Sequence, residues 1–88
     1  MTIAFTETGW DDFNYWQIHD PAIASKIKEL VRDIKRDSFR GIGKPEPLKG
    51  SLAGYWSRRI TGEHRLVYRV RGTRSDQMII IIQARFHY

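Results

Sequence analysis

Five apolar residues in succession, Met78 to Ile82, place the strongest limit on how this 88-residue chain can fold. The run is far below the ~20 residues a membrane helix needs. Read as the start of a last strand, it is apolar on both faces, which places it in the middle of a sheet. It turns polar on one side only near its end. Ile80, Ile82, Ala84 and Phe86 share one parity, and Ile79, Ile81, Gln83, Arg85 and His87 share the other. The rest of the chain must supply neighbouring strands and a covering layer.

Two upstream stretches supply the strands. Tyr55 to Ile60 alternates, Thr61-Gly62-Glu63 turns, and His64 to Val70 alternates again. Leu66, Tyr68 and Val70 mark a core face, so Arg65, Val67 and Arg69 point the other way. Trp56 shares the parity of Ile60 and is expected to be at least partly buried, as is Tyr88, which shares that of Phe86. Gly72 to Asp76 reads as a polar turn, and Met1 to Phe5 as a first strand.

The covering layer reads as helical. Thr6 is placed to cap a helix, with Glu7 just inside it. Trp10, Phe13 and Trp16 then recur three apart on a helix ending near His19, and Gly9 weakens its first turns. Asp20-Pro21 ends this helix and starts another, with Asp20 as cap and Pro21 in the first turn. Ile23, Ile27, Leu30 and Ile34 form the apolar stripe of the second helix, widened by Val31. Lys26, Lys28, Arg32, Lys35 and Arg36 fill its other side. So short a connection makes a helical hairpin.

Helical periodicity stops at Ser38. Gly41, Gly43, Pro45 and Pro47 make the segment to Leu48 a loop, and the two prolines hold Glu46 on a stiffened, extended stretch. Charge also divides here. Five Lys/Arg stand against seven Asp/Glu before residue 38, and ten against three from there on, within a net charge of +5. A basic half suits a polyanionic partner. The chain has no cysteine, so disulfides are excluded. The opening residues lack the layout of a secretory signal, and one soluble cytoplasmic domain over residues 1–88 is the expectation.

If the last three strands form an antiparallel sheet with the helices on one face, Arg59, Arg65 and His87 come to the other face, near Glu46. RNA can be cut through its own 2′-OH. The step needs a base for that hydroxyl, cations for the charge growing on phosphorus, and an acid for the leaving 5′-oxygen. Each residue also has a plainer use. Glu46 can pair with Lys44 or Lys49; Arg58-Arg59 can be a basic strand edge; His87 can be an idle surface residue. Tyr55, Trp56 and Tyr88 are stacking candidates for bases, yet strand aromatics usually serve the core. His19 and His64 are read as idle. From these residues alone RNA binding is favoured, and cleavage stays open.

The motifs GKPEPLK, YWSRRIT, EHRLVY and a terminal RFHY, with WDDFNYW and KIKELVRDIKR upstream, resemble the YoeB (Txe) toxins of the RelE/ParE superfamily over nearly the whole chain. The resemblance implies a compact α+β fold, RelE-like and of microbial-ribonuclease type. In it a helical hairpin packs on a mostly antiparallel sheet of four to five strands. It implies the toxin of a type II toxin–antitoxin pair, an endoribonuclease cutting mRNA in the ribosomal A site. It carries the general base to Glu46, the general acid to His87 and the phosphate-stabilising arginine to Arg65. Arg59, Lys49 and Lys44 support them, and Tyr88 closes the chain. No metal or cofactor is implied. The implied partners are an antitoxin with a disordered acidic tail, the ribosome with its A-site mRNA, and a second copy in a homodimer. Residues 70–78, VRGTRSDQM, depart from the family pattern in being longer and more basic, around Arg71 and Arg74. The competing functions are a toxin of the same fold that acts on a topoisomerase, and an RNA- or ribosome-binding module without cleavage.

Overall fold

The computed structural model describes residues 1–73 and 75–86. Its elements run β1 (Thr2–Phe5), α1 (Glu7–His19), α2 (Pro21–Arg36), β2 (Glu46–Pro47), a 3₁₀ turn (Gly50–Leu52), β3 (Trp56–Arg59), β4 (Arg65–Arg71) and β5 (Met78–Gln83). The five strands form one sheet in the order β1-β5-β4-β3-β2. β1 runs parallel to β5 and the other pairings are antiparallel. The apolar run of β5 lies between β1 and β4, as its two-sided hydrophobicity requires.

Both helices cover one face of this sheet. Phe13 and Trp16 of α1 and Ile27, Leu30 and Ile34 of α2 pack on Leu66 and Tyr68 of β4 and Ile79 and Ile81 of β5. Burial of each such side chain contributes roughly 1.5–3 kcal/mol. Thr6 caps α1, its hydroxyl accepting from the Gly9 N–H at 3.2 Å. Gly9 is buried against β5, where a Cβ would overlap the Ile81 carbonyl oxygen, so its place is set by helix–sheet approach. Asp20, expected as a side-chain cap for α2, makes no such bond; Pro21 alone marks the start.

A bulge in the β4–β5 ladder changes the expected parity. Tyr68 pairs with Ile81, but Val67 pairs with Gln83, so Ile82 is the extra residue. Gln83 therefore leaves the face of Ile79 and Ile81 and joins the second one.

Candidate functional site

The second face is laid out by register. Residues opposite each other on neighbouring strands point the same way, so Glu46, Ser57, Val67 and Gln83 form one row across β2, β3, β4 and β5. Arg59 and Arg65 form the adjoining row. Glu46 is thus one strand from Arg59 and two from Arg65, at ~4.8 Å per strand step. Glu46, Arg59, Lys44 and Lys49 are all exposed. Among the described residues no ion pair joins Glu46 to Lys44 or Lys49, so its charge is not taken up by the neighbours that flank it in sequence.

The loop before Glu46 is rigidly held. Gly43 has φ 79°, and a side chain there would press on Leu30 and on the Arg59 carbonyl. Its own carbonyl accepts from the Arg59 N–H at 2.7 Å. Lys44 follows at φ 51°, in the left-handed region that costs a non-glycine residue about 1 kcal/mol or more.

Arg58 sits below this loop, and here the sequence expectation is corrected. It is neither a basic strand edge nor part of the cationic surface; it is 0% exposed. Its Nη1 donates to Asp33 Oδ2 at 2.5 Å and to the Ile42 carbonyl at 3.1 Å. Nη2 donates to the carbonyls of Asp37 and Arg40, and Nε to the Tyr68 hydroxyl. The Tyr68 hydroxyl donates onward to the Ser38 carbonyl at 2.7 Å, and burial pushes this phenol's pKa up, which keeps it a donor. Bonds from Arg36 and Arg58 hold the Asp33 carboxyl down from 3.8 to about 2. One guanidinium thus collects the carbonyls of Asp37, Arg40 and Ile42, in a segment with no regular structure to satisfy them. The signal was present in the sequence: Arg58 shares the parity of Trp56 and Ile60.

Arg65 is 9% exposed. Its Nη1 donates to the carbonyls of Thr61, Gly62 and His64 and so closes the β3–β4 turn. Nε and Nη2 carry no hydrogen bond to the described residues. Arg65 is therefore held in place by the turn, with the rest of its fork uncommitted among the described residues.

The segment after β5 is fastened from three directions. The Ala84 N–H donates to Asp12 Oδ2 at 2.9 Å, and the Trp16 indole donates to the Ala84 carbonyl at 2.8 Å. The Phe86 N–H donates to His64 Nδ1 at 2.8 Å, while the Phe86 carbonyl accepts from the Arg65 N–H at 3.1 Å. Phe86 is held at φ 65°. His64, read above as idle, is a tether that also packs edge-on against Trp16. His19 stacks on Tyr15. Sequence offers no pattern for a bond between residues 22 apart, and His64 beside a turn gave no sign of it.

His87 and Tyr88, expected as acid and closing tyrosine, lie outside the described residues, as does Arg74. Of the stacking candidates, Trp56 is on the helix side, across from Tyr68 and against Phe39. Tyr55 lies beneath the Arg69 guanidinium on the second face.

A helical hairpin on one side of a five-stranded sheet, with Glu46 beside Arg59 and Arg65 on the other, defines a small α+β domain with a cationic face. The model for the YoeB-like toxin of bacterial type II toxin–antitoxin systems matches residues 5–88, and the chain belongs to that family. It is 51% identical to Toxin YoeB of Streptomyces coelicolor, over all of both chains. The structure of a YoeB/ParE toxin from Agrobacterium tumefaciens superposes with a TM-score of 0.96 at 55% identity, covering both chains fully. A YoeB dimer from Staphylococcus aureus and a YoeB–YefM complex from the same organism superpose with TM-scores of 0.89 and 0.88. Their identities are 44% and 42%, over 100% of this chain and 98% of theirs.

Proposed function

We propose that this toxin is a ribosome-dependent mRNA endoribonuclease acting in the A site. Glu46 takes the proton from the 2′-OH of the nucleotide being cut. The 2′-oxygen attacks phosphorus, the bond to the 5′-oxygen breaks, and a 2′,3′-cyclic phosphate forms. Arg65, with Arg59, Lys49 and Lys44 in support, stabilises the charge on the phosphorane. His87 gives its proton to the departing 5′-oxygen and Tyr88 closes the site. The step draws its nucleophile from the RNA itself.

The observation that carries this reading is the shared face of Glu46, Arg59 and Arg65, with Glu46 in no ion pair among the described residues. A second observation supports it. The two non-glycine residues with positive φ among the described residues are Lys44 and Phe86. One stands two positions before Glu46, and the other directly before His87. Strain of this kind persists where surrounding bonds over-determine it, and it gathers at working sites.

The relatives point to the partners. The complexes and dimer formed by the Staphylococcus aureus proteins support an antitoxin partner and a homodimer. We place the pair in the cytoplasm, with a disordered acidic antitoxin tail folding over the cationic face. Mapping RNA 5′ ends in a translating extract, with and without the protein, tests the activity. New ends clustered at the A-site codon are expected; intact messages at full ribosome occupancy would refute it.

A further inference from the structure

We propose that Tyr55 and Arg69 form a second nucleotide subsite beside Glu46, on the side away from Arg65, which takes a base and a phosphate of single-stranded RNA. The inference rests on the ribonuclease reading and adds to it the path of the strand over the sheet.

Arg65, Val67, Arg69 and Arg71 alternate along β4 and face the same way. Val67 stands in the row of Glu46. Arg65 is one row to one side and Arg69 one row to the other, each ~7 Å along the strand. Arg65 is spent partly on the turn carbonyls, whereas Arg69 is exposed and has no carboxylate partner among the described residues. Its lateral neighbours are an aromatic ring and aliphatic side chains. On the β3 side its guanidinium carbon lies 5.7 Å from the centre of the Tyr55 ring. On the β5 side it is opposite Ile80, and Ile80 is opposite Ala4 of β1. Asp76, the carboxylate of the β4–β5 turn, lies near Arg71 rather than in this row.

A cation set between a phenol ring and an apolar shelf has a chemistry. The ring and shelf accept the flat face of a base whatever its identity, and the guanidinium pairs with the phosphate next to it. A plain salt-bridge surface would need carboxylate partners here, and a plain core would not expose the arginine. RNA lying across Arg65, Glu46 and Arg69 would then be gripped on both sides of the bond being cut.

The probe is a fluorescent 2′-O-methyl RNA decamer, which lacks the nucleophilic hydroxyl and cannot be cut. Its affinity is measured between 50 and 200 mM salt, roughly the range over which phosphate contacts dominate. Arg69→Ala is expected to lower the slope of log K against log salt by about 0.7, one single-strand phosphate contact, and Arg69→Lys to keep the slope. Tyr55→Leu is expected to weaken binding about tenfold at every salt concentration with the slope unchanged, as loss of stacking should. Urea midpoints equal to wild type show that each variant folds. An unchanged slope for Arg69→Ala, or a folded wild type that does not bind the decamer, overturns the subsite. Mapped 5′ ends from the unmodified protein report separately on the nuclease reading, which fails only if that protein leaves messages whole.

Discussion

Arg58 and Asp33 meet at 2.5 Å beneath the loop that delivers Glu46 to the cationic face. The contact joins β3 to α2, and through the carbonyls of Asp37, Arg40 and Ile42 it shapes the irregular segment between them. The position of the exposed carboxylate therefore depends on a cation buried away from solvent.

Replacing that cation should be costly. Arg58→Ala leaves Asp33 facing a void and strands three loop carbonyls, and removing one member of a buried pair is strongly destabilising. The melting temperature should fall by on the order of 10 °C, more than for Arg59→Ala on the exposed side of the same strand. Thermal unfolding of the two variants in parallel checks the contrast.

Acid should unfold the protein partly through Asp33. Its carboxyl titrates at about 2 in the folded chain, against 3.8 for the free group, held down first by Arg36 and then by Arg58. In that window the unfolded chain binds the extra proton, so stability falls as pH drops from about 4 toward 2. The contribution is fully present above that range. Unfolding curves from pH 5 to 2 should show a shallower acid slope for Asp33→Asn than for wild type.

Gly9 offers a test of packing against propensity. Glycine inside a helix is ordinarily worse than alanine by about 1 kcal/mol. Gly9→Ala should nonetheless destabilise, since its methyl would push against the Ile81 backbone. The urea midpoint should move down; a rise would mean that α1 is free to shift off the sheet.

The tether from His64 should matter through its acceptor atom. Asparagine can set an oxygen near the place of Nδ1, and leucine cannot. His64→Leu should slow cleavage at saturating substrate, and His64→Asn should recover most of the rate, while both keep ribosome binding. Equal rates for the two variants would make the bond to Phe86 incidental.

Much of this architecture could be read from residue patterns because its elements are regular. The stripe from Ile23 to Ile34, the Thr6 cap and the alternation from His64 to Val70 each depend on near neighbours in sequence, and each appears, the strand shifted by one residue to Arg65–Arg71. The two-sided run in β5 even located that strand within the sheet. Residue patterns mislead where long-range contacts decide. The charge of Arg58 suggests a strand edge, whereas its parity with Trp56 and Ile60 puts it inside. Gln83 changed faces because of a bulge, which hydrophobic alternation does not announce. His64 acquired its partner through a chain reversal 22 residues later. At the candidate site, Glu46, Arg59 and Arg65 could be assigned to one face by parity and by the stiff Pro-Glu-Pro segment. The backbone clamp on Phe86 could not, because it is made by the His64 ring and the Arg65 N–H, more than 20 residues earlier in the chain.

The most direct test of the account is single-turnover cleavage of A-site mRNA on programmed ribosomes by Glu46→Gln. The amide keeps the shape of the side chain and removes its basicity. A rate lower by about 100-fold or more is expected, with toxin–ribosome affinity unchanged. Cleavage at the wild-type rate would contradict the assignment of Glu46 as the base.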